Sequence, residues 1–146
     1  MGEMKSFARG AAALEDDGMD VVPHNPREGI YPATEDYVHA IEVRGPGRTV
    51  YVAGTMGLDP AGVPGAGLTE QLDLIWSNLR QILRSAGMTV DNIVRITSYL
   101  RSAEYAEANA AARVAALGGR PVPTTAIVVQ TLAEDWLVEL EVIAVD

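Results

Sequence analysis

The last strand-like segment of the chain alternates apolar and acidic residues, and this alternation most constrains the fold. Residues 137–145 read Leu-Val-Glu-Leu-Glu-Val-Ile-Ala-Val. Because a strand repeats every two residues, Glu139 and Glu141 share one face while Leu140 and Val142 share the other. A buried charge is costly unless it is paired, so the acidic face must meet water or line a polar cleft. The pattern therefore indicates a strand that joins a core on one side and presents carboxylates on the other.

Composition excludes several classes of protein. With 146 residues the chain fits one domain with a core of its own. The absence of Cys excludes disulfides and thiolate catalysis, and two isolated histidines, His24 and His39, offer little from which to build a transition-metal site. We therefore expect no metal.

The net charge of −9 argues against a nucleic-acid partner, because binding to a phosphate backbone needs clustered Lys and Arg. No segment approaches the roughly 18 uninterrupted apolar residues of a membrane span, and the N-terminus lacks a basic segment followed by an apolar run. We expect a soluble cytoplasmic protein with neither a nucleic-acid nor a membrane partner.

The N-terminal part divides into two segments. Residues 1–22 show no sustained periodicity and are predicted to form a flexible extension, so the domain proper would span residues 23–146. Residues 23–34 contain three prolines and are predicted to be irregular. Residues 37–43 and 49–54 are β-prone runs separated by a glycine-rich loop, which predicts a hairpin.

The remaining chain predicts two helices and three strands. Thr69 is the expected N-cap of an amphipathic helix that stops at Gly87, and Ser102 is the expected cap of a second helix that stops at Gly118. Strands are expected at residues 93–100, 121–130 and 137–145, and alternation in the first places Ile93, Arg95, Thr97 and Tyr99 on one face. The order β-β-α-β-α-β-β predicts an α+β domain with both helices on one face of a sheet. The other face would then need a cover, which favours oligomerisation.

This order and several local strings resemble the Rid family, the reactive intermediate deaminases also called YjgF/YER057c/UK114. The resemblance extends from about residue 25 to residue 145. Its carriers are Tyr37-Val-His-Ala-Ile-Glu-Val, Val50-Tyr-Val-Ala-Gly-Thr, Ile82-Leu-Arg-Ser-Ala-Gly, Tyr105 through Asn109, Arg120-Pro-Val-Pro-Thr-Thr and Val138-Glu-Leu-Glu-Val-Ile-Ala-Val.

The resemblance implies a chorismate-mutase-like fold with a mixed sheet, assembled as a homotrimer with clefts between subunits and no metal or organic cofactor. Members of the best-known subgroup hydrolyse imines and enamines to keto acids and ammonia. By position, Glu139 matches the family glutamate that orients or activates water. The matching substrate-binding positions are Tyr37, Gly54, Thr55, Asn109 and the backbone of Ala126.

One departure from the family changes the expected substrate. The arginine that binds the substrate carboxylate in the family is replaced here by Thr124, counting back from Glu139. Threonine offers one rotatable hydroxyl and no charge, whereas a charge-assisted hydrogen bond from arginine contributes on the order of 1.5 to 3 kcal/mol. A second departure is Ala53, where the family often has Ser. The expected substrate is therefore a small imine, enamine or related reactive intermediate other than a standard 2-imino acid.

Other interpretations remain open at this stage. From the residues alone, Glu139 could be merely solvated, Tyr37 could be a core ring with a wet hydroxyl, and Thr124 could simply begin a strand. The same fold could serve a specialised biosynthetic enzyme or a metabolite-binding protein without catalysis. A ribonuclease, which some family names suggest, fits the acidic composition least.

Overall fold

The structure, a computed structural model, describes residues 20–45 and 47–146. The described residues form six strands and two α-helices, and the order predicted from the sequence is confirmed with one further strand before it. The elements are β1 (Asp20–His24), β2 (Ala40–Arg44), β3 (Thr49–Met56), α1 (Leu68–Ser85), β4 (Ile93–Leu100), α2 (Ala106–Ala116), β5 (Thr124–Val128) and β6 (Val138–Val145), with 3-10 turns at Val90–Asn92 and Ala103–Tyr105.

Four strands form a mixed sheet in the order β3-β6-β4-β5. Strand β6 runs antiparallel to both β3 and β4, whereas β4 and β5 are parallel. The predicted hairpin between residues 37–43 and 49–54 is wrong, because β2 pairs with β1 in a separate two-stranded sheet and β3 pairs with β6. The glycine-rich loop therefore joins two sheets rather than two neighbouring strands.

Strand β1 was not predicted from the sequence because it contains a proline. Pro23 pairs with Ile41, and a residue without an N–H fits in a strand only where that donor is not needed, as at a sheet edge. Residues 20–22 of the predicted extension belong to this strand, and residues 1–19 lie outside the described part of the chain. Ile41 also packs against the main core, which ties the small sheet to the domain.

Both helices pack on one face of the main sheet. Helix α1 begins after Gly67, so the prediction of Thr69 as N-cap is wrong, but Ser102 does accept a backbone hydrogen bond at the start of the second helical segment. Gly87 follows α1 with φ of 75°, a left-handed conformation that favours glycine and stops the helix. Among the described residues, no helix combines the length and apolar character needed to cross a membrane.

The core lies between the helices and one face of the sheet. Most of its members are apolar residues of α1, β4 and β6, and the largest buried side chains are Ile75, Leu79, Leu83, Ile93, Ile96, Leu100, Val122, Val138, Leu140 and Val142. A bulge between Ile93 and Arg95 turns Ile93 toward this core, whereas strict alternation had placed it with Arg95. The opposite face, which carries Glu139 and Glu141, has no helix over it among the described residues, and we call it the open face.

Candidate active site

The carboxylate of Glu139 lies directly over Gly54 of the neighbouring strand. A Cβ added to Gly54 would stand 2.0 Å from Glu139 Oε2 and 3.0 Å from its Cδ, so any other residue there would displace the acid. Strand β3 shifts register between Val52 and Thr55, which places Gly54 at the bulge beside β6. The glycine is thus required by close approach of the carboxylate rather than by its own backbone angles.

Glu139 lines a cavity of about 340 Å³ on the open face. Two kinds of element form the walls: the strands β3, β4 and β6, and the loop between β5 and β6. The lining residues are Gly54, Tyr99, Val129, Gln130, Thr131, Leu132, Glu139 and Glu141. The cavity therefore combines two carboxyls, one phenol and an apolar rim.

The loop that borders this cavity is held from behind by buried hydrogen bonds. Arg101 Nη1 donates to the backbone oxygen of Thr131 at 3.1 Å and to its hydroxyl at 2.9 Å. Gln71 Nε2 donates to the backbone oxygen of Asp135 at 2.8 Å, and Gln71 Oε1 accepts from the Leu137 N–H at 2.9 Å. These contacts fix the position of the loop that forms one wall of the cavity.

Burial raises the pKa of Glu139 above its ordinary value, and the negative charge of Glu141 raises it further. Both causes disfavour the ionised form, so Glu139 holds its proton to a higher pH than a free glutamate does. A carboxyl in this condition can act as an acid and then, once ionised, as a base.

Tyr99 lies opposite Glu139 in the β4–β6 pairing and donates its hydroxyl proton to Glu141 Oε1. This hydrogen bond, together with burial, raises the pKa of Tyr99 above 10.0. The phenol is therefore a neutral donor at neutral pH. The sequence placed Tyr99 on the correct strand face, but this diagonal contact with Glu141 was not predicted.

Thr124 and Ala126 lie on the other side of the sheet from Glu139. Thr124 pairs with Ile96 and Ala126 with Ser98, and both of these β4 residues are buried on the helix face. Paired residues of neighbouring strands point to the same face, so Thr124 shares the helix face. Thr125, in contrast, is on the open face and accepts a hydrogen bond from Arg95 at 2.8 Å.

The segment that contains Tyr37 is held against α2, the helix that carries Asn109. Arg113, one turn after Asn109, donates to the backbone oxygen of Asp36 at 2.9 Å and to its carboxylate at 3.1 Å, which holds the residue before Tyr37 against the helix. Tyr37 also makes an edge contact with His39, with ring centroids 5.8 Å apart. The Arg113–Asp36 pair was not predicted from the sequence. The available signal was an arginine one turn after Asn109 in an alanine-rich helix.

Asn109 is 3% exposed, and its Oδ1 has no hydrogen-bond partner in the part of the chain that the structure describes. A buried acceptor without a donor is costly, so this atom is suited to receive an N–H or O–H from outside the described chain. Thr55, another predicted site residue, pairs with buried Leu140, and its hydroxyl donates to the backbone oxygen of Ala53 at 3.0 Å. Its hydroxyl proton is thus already engaged.

The predicted site residues therefore form two separate groups. The acid group consists of Glu139 and Gly54 on the open face. Thr55, Thr124 and Ala126 lie on the helix face and Tyr37 and Asn109 lie beside α2, and we call Tyr37, Asn109, Thr124 and Ala126 the amide group. Because the sheet lies between them, one copy of the chain cannot bring Glu139 and Thr124 to the same small ligand.

A second cavity, of about 580 Å³, lies along β3 and α1 and shares Gly54 with the first. Its carboxylate, Asp59, accepts the backbone N–H groups of Ala61 and Val63 at 2.9 Å and so serves the loop. Across the described ranges, no group of three or more His, Asp or Glu residues is arranged to hold a metal ion. The cavity at Glu139 is the better candidate because no hydrogen bond from the described residues engages the Glu139 carboxyl.

Comparison with known proteins gives a consistent result. The family model described as "Endoribonuclease L-PSP" matches residues 29–146. A "2-iminobutanoate/2-iminopropanoate deaminase" of Mus musculus is 34% identical over 113 residues, which cover 75% of this chain and 80% of the mouse protein. A RutC family protein of Pyrococcus abyssi is 30% identical over 112 residues, which cover 74% of this chain and 84% of the relative.

Solved structures show the same fold. A protein of unknown function of the conserved Rid family from Yersinia pestis has a TM-score of 0.71 and 29% identity, with 85% of this chain and 97% of that chain covered. A Mycobacterium tuberculosis member of the highly conserved YjgF/YER057c/UK114 family has a TM-score of 0.59 and 26% identity, with 86% and 98% covered. The α+β, chorismate-mutase-like architecture predicted from the sequence is thereby confirmed.

Proposed function

The chain belongs to the Rid family, and from this premise we propose that it hydrolyses imines or enamines to carbonyl compounds and ammonia without a cofactor. The observation that carries the proposal is the Glu139 carboxyl over Gly54, in a cavity and with a raised pKa. Hydrolysis of a C=N bond needs one group that gives a proton and later takes one from water, and this carboxyl suits both steps.

The reaction needs few steps. The protonated Glu139 carboxyl gives its proton to the imine nitrogen, or to the terminal carbon of an enamine, and so makes the central carbon electrophilic. The resulting carboxylate takes a proton from the water that adds to this carbon. Glu139, protonated again by that water, gives the proton to the carbinolamine nitrogen. The C–N bond breaks to release ammonia, and the C=O bond forms as the hydroxyl proton passes to the Glu139 carboxylate. Glu139 ends the cycle protonated, as it began, once it has taken back the hydroxyl proton.

We propose that the complete site forms between two copies of the chain. The acid group and the amide group lie on opposite sides of the sheet, so they reach one ligand only if they come from different copies. The uncovered open face and the family resemblance support an assembly of three copies with a site at each contact. In this arrangement Asn109 Oδ1, which has no hydrogen-bond partner among the described residues, accepts a hydrogen bond from the substrate amino group or from the water.

We further propose that the substrate is small and carries no free carboxylate. With Thr124 at the position of the family arginine, the amide group offers a hydroxyl and main-chain groups to a neutral carbonyl. Arg113, the cation beside Asn109, is already paired with Asp36. An amide, ester or simple imine therefore fits this group better than a 2-imino acid does.

The test is ammonia release from a matched pair of substrates, freshly generated 2-aminoacrylate and its amide, measured above the spontaneous rate. We expect faster turnover of the amide by the natural protein, loss of both activities in Glu139→Gln, and a shift of preference toward the carboxylate in Thr124→Arg. Preference for the carboxylate in the natural protein, unchanged by Thr124→Arg, would contradict the proposed substrate class.

An outcome without turnover of either compound would favour the alternative of a metabolite-binding protein. In that case the amide should still bind, and calorimetric titration of the natural protein and of Asn109→Ala would show it. Ribonuclease activity is not supported, because the net charge of −9 opposes binding of a phosphate backbone.

A further inference from the structure

The two acids of the open face differ in their hydrogen bonds. Glu139 and Glu141 stand two residues apart on β6 and line the same cavity. The Tyr99 hydroxyl donates a hydrogen bond to Glu141, whereas no donor among the described residues reaches the Glu139 carboxyl. A hydrogen bond from a neutral donor is stronger to a carboxylate than to a carboxylic acid, so the Tyr99 hydroxyl is suited to hold a Glu141 carboxylate beside Glu139.

The remaining charges near the pair do not reverse this difference. Arg95 lies on the same face of β4, but Thr97 separates it from Tyr99 along the strand, and its guanidinium donates to Thr125 on β5. On the β3 side, Glu139 meets Gly54, which has no side chain. The charged and titratable groups that face Glu139 are therefore Glu141 and Tyr99, with Arg95 farther away.

The pair also has a fixed geometry. Tyr99 is directly opposite Glu139, and Thr97 is directly opposite Glu141, so the phenol crosses diagonally from one row of the sheet to the next. This diagonal contact holds the Glu141 carboxylate on the β4 side of the cavity. The Glu139 carboxyl points the other way, over Gly54, where it remains available to a ligand.

We propose that Glu141, held by the Tyr99 hydroxyl, is a positioning residue whose negative charge keeps the proton on Glu139, so that Glu139 enters the reaction as the acid. The inference rests on the proposed hydrolysis at Glu139 and adds how this carboxyl is kept in the protonated state. The Glu141 carboxylate bears the negative charge and takes no part in bond making, whereas the Glu139 carboxyl carries the reactive proton.

The direct test is a titration of the carboxyl groups by carbon NMR in the full-length protein, with the Glu139 signal assigned by its absence in Glu139→Gln. In Glu141→Gln we expect the Glu139 midpoint to move to lower pH, toward that of an ordinary glutamate. In Tyr99→Phe, which releases the Glu141 carboxylate, we expect the Glu139 midpoint to move in the same direction by a smaller amount. Glu28→Gln, which removes an equal charge at an exposed position, is the control and should leave the Glu139 midpoint in place.

The same variants are then compared by the pH dependence of ammonia release. The part of the pH–rate profile that follows the titration of Glu139 should move to lower pH in Glu141→Gln. It should stay in place in Glu28→Gln. An unmoved Glu139 midpoint in Glu141→Gln, or a moved midpoint without a moved rate profile, overturns the inference. Absence of turnover in the natural protein instead overturns the proposed hydrolysis, and the titration separates the two because it uses no substrate.

Discussion

On β6, Leu140 and Val142 are almost wholly buried beneath the helices, whereas their neighbours Glu139 and Glu141 remain half-buried on the open face. The two sets share one backbone and differ only in the direction of alternate side chains. Burial of each apolar side chain contributes about 1.5 to 3 kcal/mol, while burial of an unpaired acid costs free energy. The comparison teaches that one strand can stabilise the fold with one face and keep reactive groups on the other.

The largest expected effect is the loss of stability when a side chain on the helix face is truncated. Leu140 is fully buried in the core, so Leu140→Ala should lower the free energy of unfolding by about 2 to 5 kcal/mol through lost burial and a cavity. Urea denaturation measures this change. Thr97→Ala, on the open face of the adjacent strand, is the matched control and should change stability by about 0.5 kcal/mol or less. Equal losses in the two variants would remove the distinction between the faces.

Substitution of Gly54 should disturb the open face instead. The Cβ of Gly54→Ala would stand 2.0 Å from Glu139 Oε2 and push the carboxyl from its place. A displacement of about 1 Å can lower a rate by about 100-fold, and we expect a loss of this size in ammonia release.

Gly67→Ala is the control for this change, because its Cβ would meet nothing within 4 Å and its φ of −161° suits any residue. It should retain the rate of the natural protein. Normal turnover in Gly54→Ala would mean that the close approach of Glu139 to Gly54 has no role in catalysis.

A smaller effect is expected where a polar group lies on the apolar face. Ser98 is 1% exposed, and its hydroxyl oxygen has no hydrogen-bond partner. Burial of such a hydroxyl is unfavourable, so Ser98→Ala should keep or raise the free energy of unfolding, by at most about 1 kcal/mol. A loss of stability, measured by thermal denaturation, would show that this hydroxyl has a partner in the assembled protein.

The smallest effect concerns the free energy that it costs to bury the Glu139 carboxyl on the open face. Because the folded-state pKa of Glu139 is raised above 4.5, its stabilising contribution is present below that pH and is lost as the pH rises through the folded-state pKa. Glu139→Gln should therefore gain stability relative to the natural protein as the pH rises from 4.5 through the folded-state pKa of Glu139. A parallel pH dependence of the two melting temperatures would show that the carboxyl is not strained by burial.

Much of the fold was predictable because its signals are local. Alternation in residues 137–145 predicted both faces of β6, and helical spacing predicted the buried side of α1. The pairing of β1 with β2 was not predictable, because Pro23 argues against a strand and pairing depends on distant residues. The bulge before Arg95 also depends on its partner strand, so strict alternation misplaced Ile93.

The sequence offered candidate residues for the site but not their arrangement. The family resemblance identified Glu139, Tyr37, Asn109 and Thr124 as positions of interest. It did not reveal that the carboxyl of Glu139 occupies the space over Gly54, or that Arg113 is paired with Asp36. Such contacts join residues far apart in sequence, and only the folded backbone brings them within reach.

The central claim is that the acid group of one copy and the amide group of another act on the same substrate. The most direct test mixes two variants, Glu139→Gln and Asn109→Ala, after joint unfolding and refolding, with size-exclusion chromatography as the check of assembly. Each variant alone should release little ammonia. If assembly is random and each site draws its two groups from different copies, an equal mixture should recover about a quarter of the natural rate. A mixture that stays at the rate of the separate variants would contradict the shared site.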